Sequence, residues 1–81
     1  MKPTIGKMVV YRTTQADREM MKRSEEKCNP QEKLPAIVTA VKDDETVNLR
    51  VICDGNLTMH KTDAMRGAKE GSWVYRLNEK E

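Results

Sequence analysis

Phenylalanine is absent from this chain, and one Trp and two Tyr are its only aromatic residues. Leu, Ile and Val together fill only 14 of the 81 positions, so the core must be thin. A single domain of this size buries only ~60% of the surface that its unfolded chain exposes. Six Met residues supplement the aliphatics, filling irregular gaps at some loss of packing specificity. Low apolar content alone suggests disorder, but disordered chains combine it with high net charge. Here 15 basic residues nearly cancel 13 acidic ones, which points to a folded domain over residues 1–81. A second subunit would enlarge so small a core, and a homo-oligomer is among the expectations.

A large excess of one charge is also missing. The net charge of +2 falls short of the clustered basic surface that marks a nucleic-acid-binding domain. No stretch approaches the ~20 apolar residues of a membrane-spanning helix. Met1-Lys2-Pro3 leads straight into a strand pattern without the apolar centre of a secretory signal, so a cytosolic location is expected. In that reducing compartment Cys28 and Cys53 are expected as free thiols. The glycosylation pattern Asn56-Leu57-Thr58 applies to secreted proteins and is set aside.

The apparatus of catalysis is sparse. Cys28, Cys53 and His60 are the only soft metal ligands, with no close pair and no fourth member, so no metal site is expected. A nucleophilic thiol needs a base and an orienting group beside it, and nothing in the spacing sets His60 next to either Cys. No Gly-rich phosphate loop opens a helix. Asp43-Asp44-Glu45 lacks the alternating ligands and turn glycine of a calcium loop and reads as a solvated hairpin tip. The chain is therefore expected to be no enzyme and to carry no cofactor.

What is present reads as short strands. Residues 5–12 form a first apolar run, with Ile5 and Val9 assigned to the core and Met8 and Val10 left open. Thr14 is suited to accept from the first free N–H groups of a helix, and Asp17 to sit at its positive end. A helix over residues 15–27 follows, with Met20 and Met21 as its packing side, closed by Pro30. Residues 34–42 are apolar on both alternating sets, which suits a strand covered on both sides. Val47, Leu49, Val51 and Cys53 alternate with Thr46, Asn48 and Arg50 in a half-buried strand. Asp54-Gly55 supplies hairpin chemistry, and Leu57 and Met59 continue the alternation. Residues 67–71 form a loop, residues 73–77 a last strand, and 78–81 a frayed tail. Ile37, Val38, Val41, Val47, Leu49 and Val51 are the expected main core. Five strands and one helix in an inserted segment, residues 13–33, describe a mostly β, small antiparallel barrel.

Pro35-Ala36-Ile37-Val38-Thr39-Ala40-Val41, Val47-Asn48-Leu49-Arg50-Val51, Asp54-Gly55-Asn56 and Gly71-Ser72-Trp73, together with Ile5-Gly6 and Val9-Val10-Tyr11, resemble a family of small bacteriophage proteins. The likeness runs in short blocks over roughly three quarters of the chain. It implies an SH3-like β-barrel, a phage origin and a place in the host bacterial cytoplasm, but no one activity, since small barrels host many.

Binding is thus the expected role, and the aromatic residues are its first candidates. Trp73 and Tyr75 alternate on the last strand and face one way, with Tyr11 as the third ring. Trp73 reads best as a core plug, whereas the polar tips of Tyr11 and Tyr75 favour a partly exposed surface. Arg50, His60 and Arg76 are candidate polar complements, with Arg12 and Lys61 nearby in the sequence pattern. The leading expectation is a non-enzymatic phage accessory protein that binds a protein partner, either a host factor or a virion component. Two rivals stand beside it. A sponge for a nucleotide signal of host defence would hold phosphate with Arg or Lys and stack the base on a ring. A single-stranded nucleic-acid binder would use the same residues, against the near-neutral charge.

Overall fold

The structure, a computed structural model, describes residues 2–23, 29–55 and 57–76. Strand β1 (Met8–Arg12) is followed by helix α1 (Gln15–Arg23) and by strands β2 (Lys33–Val41), β3 (Thr46–Ile52), β4 (Thr58–Met65) and β5 (Trp73–Tyr75). They form one antiparallel five-stranded sheet in the order β4-β3-β2-β1-β5. Hairpins connect β2 to β3 and β3 to β4, and the last strand returns to pair with the first. No described helix is long and apolar enough to cross a membrane.

The period-two alternation sets the inner face. Val9 and Tyr11 of β1, Leu34, Ala36 and Val38 of β2, Val47, Leu49 and Val51 of β3, Met59 and Ala64 of β4, and Trp73 and Tyr75 of β5 are all buried. Cys53 and Met21 complete this cluster. Cys28 and Leu77 lie outside the described residues, as do the end of the expected helix and the expected frayed tail.

Four expectations about packing need correction. Ile5 is 71% exposed, because Gly6 turns the chain at φ 91° and puts Ile5 on the tip of a turn closed by the Lys7 N–H donating to the Thr4 carbonyl. The strand therefore starts at Met8. Strand β2 is covered on one side only: Leu34, Ala36 and Val38 are buried while Pro35 is exposed and Ile37 half-buried on the other face. Val41 is 41% exposed at the strand end, past a register shift between Val38 and Ala40. Met20 is also 41% exposed, whereas Met21 is fully buried. On a helix, residues four apart share a face, so Asp17 and Met21 form the buried stripe and Met20 turns away from it.

A helix cap and a turn are fixed by bonds between side chain and backbone. At the start of α1 the Thr14 hydroxyl accepts from the Asp17 N–H, and the Asp17 carboxylate accepts from the Thr14 N–H, both at 3.0 Å. This is a capping box that uses Asp in place of the usual Glu. At the β2–β3 turn the Asp43 carboxylate accepts from the N–H groups of Glu45 and Thr46 at 2.9 and 2.8 Å. Those bonds hold the exposed Asp43 carboxyl below its ordinary range.

The segment carrying α1 leaves and rejoins the sheet at one point. Arg12 is opposite Lys33, and the Thr13 N–H donates to the Glu32 carbonyl at 2.9 Å. Asn29 then bridges to Asp54 in the β3–β4 hairpin, through both backbone and side chain. At the other end of the sheet, Arg66 after β4 bridges to Trp73 of β5, and the Gly67 N–H donates to the Trp73 carbonyl at 2.9 Å.

Candidate partner-binding face

All three aromatic rings belong to the inner face. Tyr11 and Tyr75, expected to be partly exposed, are only 2% and 7% accessible, and Trp73 is fully buried as the core plug. Trp73 packs edge-on against Tyr75 with ring centres 5.1 Å apart. Its indole N–H is shared between the carbonyls of Ala64 at 3.1 Å and Glu45 at 3.2 Å. A buried Trp needs such acceptors, and the β2–β3 turn and β4 supply them. The Arg66 guanidinium lies over the Tyr75 ring, 5.1 Å from its centre.

Tyr11 owes its burial to a partner that sequence spacing did not reveal. Its hydroxyl donates to Asp17 at 2.7 Å, and the Lys61 ammonium donates to the other carboxylate oxygen at 2.6 Å. Lys61 faces inward because it pairs with Leu49, and a bulge after it, where Asp63 adopts φ 55°, lets Ala64 face inward as well. Burial pushes the Tyr11 hydroxyl well above its ordinary range, and the hydrogen bond to Asp17 and its charge add to that. Burial also acts to raise the Asp17 carboxyl, but the bonds from Lys61, Thr14 and Tyr11 outweigh it and hold the group below its usual range. Asp17 is thus a weak base and Tyr11 a weak acid at neutral pH, and the cluster ties α1 to the sheet. Among the described residues no three His, Cys, Asp or Glu side chains converge as metal ligands would.

The outer face is different. Val74, Val10 and Pro35 stand in register across three strands, and Ile52 follows Val51, the partner of Ala36. A second row runs Met8, Ile37, Arg50 and His60 across β1 to β4. Arg50 and His60, both sequence candidates, are therefore direct neighbours on one exposed surface. Arg76, the third, is exposed where β5 ends. The candidates thus separate: Arg50 and His60 lie on the open face, Arg76 is exposed past β5, and the rings lie in the core.

Charge on this sheet is one-sided. The only carboxylate within the five strands is Asp63, and it is held at 2.7 Å by Lys42. Against it stand Arg12, Lys33, Arg50 and Lys61, of which Lys61 alone points inward to a carboxylate. At one end of the outer face Val10, Arg12, Lys33, Ser72 and Val74 line a depression of 230 Å³, with Gly67 and Ala68 at its rim. Lys33, Pro35 and Val74 were not singled out from the sequence. Their signal was present in the absence of acidic residues from the strand runs, but it needs the strand boundaries to be read.

No family model, curated protein or solved structure matches this chain.

Proposed function

We propose that this chain is a non-enzymatic protein-binding module that acts through the outer face of its sheet. The observation that carries the reading is the outer-face row of exposed Pro35 and Ile52 and half-buried Val10 and Val74, set among cations that no strand carboxylate neutralises. An apolar strip with a polar surround is the composition of a protein-recognition surface. The fold is read as an SH3-like barrel. The strand order supports this, as does the Arg66–Trp73 bridge, which brings the end of β4 onto the opposite edge strand. In the setting implied by the sequence resemblance, the module is a phage accessory protein in the host cytoplasm, and its partner is a host factor or a virion component.

The nucleotide sponge and the single-stranded nucleic-acid binder are less well supported. Both need an accessible ring to stack a base, and Tyr11, Trp73 and Tyr75 are all committed to the core. The test is a pull-down from host lysate with the wild type and Ile52→Glu. The variant should lose a partner that the wild type retains, at unchanged melting temperature. Retention by both would move the site off this face. Tight calorimetric uptake of a cyclic dinucleotide would replace the reading with the sponge.

A further inference from the structure

We propose that the depression between Arg12 and Lys33 seats a carboxylate of an acidic peptide segment, whose aliphatic side chains lie along Val10, Val74 and Pro35. The inference rests on the reading of the outer face as a protein-binding surface and adds the chemistry of what binds there.

Arg12 and Lys33 are directly opposed cross-strand partners on the exposed side of β1 and β2. Like charges in that position destabilise a sheet, so a carboxylate placed between them removes a cost already built into the fold. Neither takes part in an ion pair among the described residues. The nearest turn does carry a carboxylate, Glu70, but that group is engaged by Arg18 at 3.1 Å. Arg12 is oriented as well as exposed. Its Nη1 donates to the Ala68 carbonyl at 2.9 Å, which fixes the guanidinium at the rim and leaves its other N–H donors for an incoming oxygen pair. Lys33 adds a movable point charge from the opposite side.

The dimensions select the occupant. A volume of 230 Å³ is below the roughly 300 Å³ at which small-molecule pockets begin, and suits one side chain rather than a whole nucleotide. Beyond it the floor is aliphatic, formed by Val10 and Val74 with Pro35 next in register. That surface favours Leu, Ile or Val of a peptide, and it offers no ring to a nucleobase.

The test is fluorescence anisotropy on the full chain with three labelled probes: a short peptide of Glu-Glu-Leu-Leu repeats, the same peptide with Gln for Glu, and an oligothymidine. The acidic peptide should bind, and its Gln analogue should bind weaker by on the order of tenfold or more. Lys33→Glu should cause a similar loss without lowering the melting temperature, since the exposed ammonium makes no ion pair among the described residues. Arg12→Gln should do the same, and Lys33→Glu decides the matter if that variant folds poorly. Equal affinity for the Glu and Gln peptides overturns the carboxylate seat. If Ile52→Glu still abolishes that binding, the protein-binding face survives without it. No binding of the acidic peptide also overturns the proposal, with the lysate pull-down then deciding the broader reading. Tighter binding of oligothymidine than of the peptide overturns both.

Discussion

Val38 and Ile37 are neighbours in β2 and nearly the same in chemistry, yet one has no contact with solvent and the other is half-exposed on the opposite side of the sheet. The same contrast repeats across β3, where Val51 is buried and Ile52 exposed. Inner-face residues meet Met21, Trp73 and the two tyrosines, while outer-face residues stand in register with one another and with Arg12, Lys33 and Arg50. Apolar character therefore does not separate the two faces. What separates them is which side carries the rings and the helix, and which carries unneutralised Arg and Lys. A buried apolar residue serves stability; an exposed one of the same type is free to serve recognition.

The most severe way to break the inner face is Trp73→Ala, which removes the largest fully buried side chain and withdraws the indole donor from the Ala64 and Glu45 carbonyls, the latter keeping the Arg66 N–H. It should cost ~3 to 5 kcal/mol in a urea titration, and Leu49→Ala ~2 to 5 kcal/mol. A loss under ~1 kcal/mol at either site would mean that the inner face is not the core. The helix offers a matched pair. Met21→Ala should cost ~2 to 4 kcal/mol by the same cavity argument, and Met20→Ala less than ~0.5 kcal/mol. Equal costs would show that α1 does not dock through the Asp17–Met21 stripe.

Asp17→Asn comes next, at about 1 to 3 kcal/mol, because a buried carboxylate with three donors loses its charge-assisted bonds while Lys61 keeps some access to water. It also carries a pH signature. The folded-state value of Asp17 is lowered from 3.8, so its stabilisation is complete above about pH 4 and disappears as pH falls through the lowered value. Melting temperatures measured from pH 6 down to pH 2 should fall less steeply in Asp17→Asn than in the wild type. Part of the acid loss will remain in the variant, since Asp43 is lowered in the same sense. The smallest expected change in stability is at the outer face: Ile37→Thr and Ile52→Thr should stay within ~0.5 kcal/mol of the wild type by thermal melting. A larger loss would show that this face is packed and not open.

Much of the fold was legible because it is local. The alternation through Val47, Leu49 and Val51, the Thr14–Asp17 cap and the Asp54-Gly55 hairpin each depend on residues close together in sequence. The errors came where distant segments decide. Ile5 looks like core until Gly6 turns the backbone, and Val41 until the bulge before it changes the register. Tyr11 looks amphipathic because its hydroxyl needs a partner, and Asp17 supplies that partner only after the helix cap has turned the chain back. The candidate site divides the same way. Arg50 and His60 were found as isolated polar residues, but their adjacency is a property of strand pairing. The Arg12–Lys33 opposition was hidden because an inserted segment separates two residues that stand face to face.

One consequence of the strand order concerns synthesis and not the finished protein. Strand β1 pairs on one side with β2 and on the other with β5, joining Val9 to Tyr75 across most of the chain. Such pairing is slow to close, on the scale of about milliseconds to seconds for small β domains, because distant segments must meet before their bonds form. On the ribosome the β5 edge of β1 therefore stays open until Trp73 to Tyr75 have emerged. An open edge beside Val9 and Val10 is a template for pairing with another chain. A stalled or truncated product that ends before Trp73 is thus expected to aggregate through that open edge.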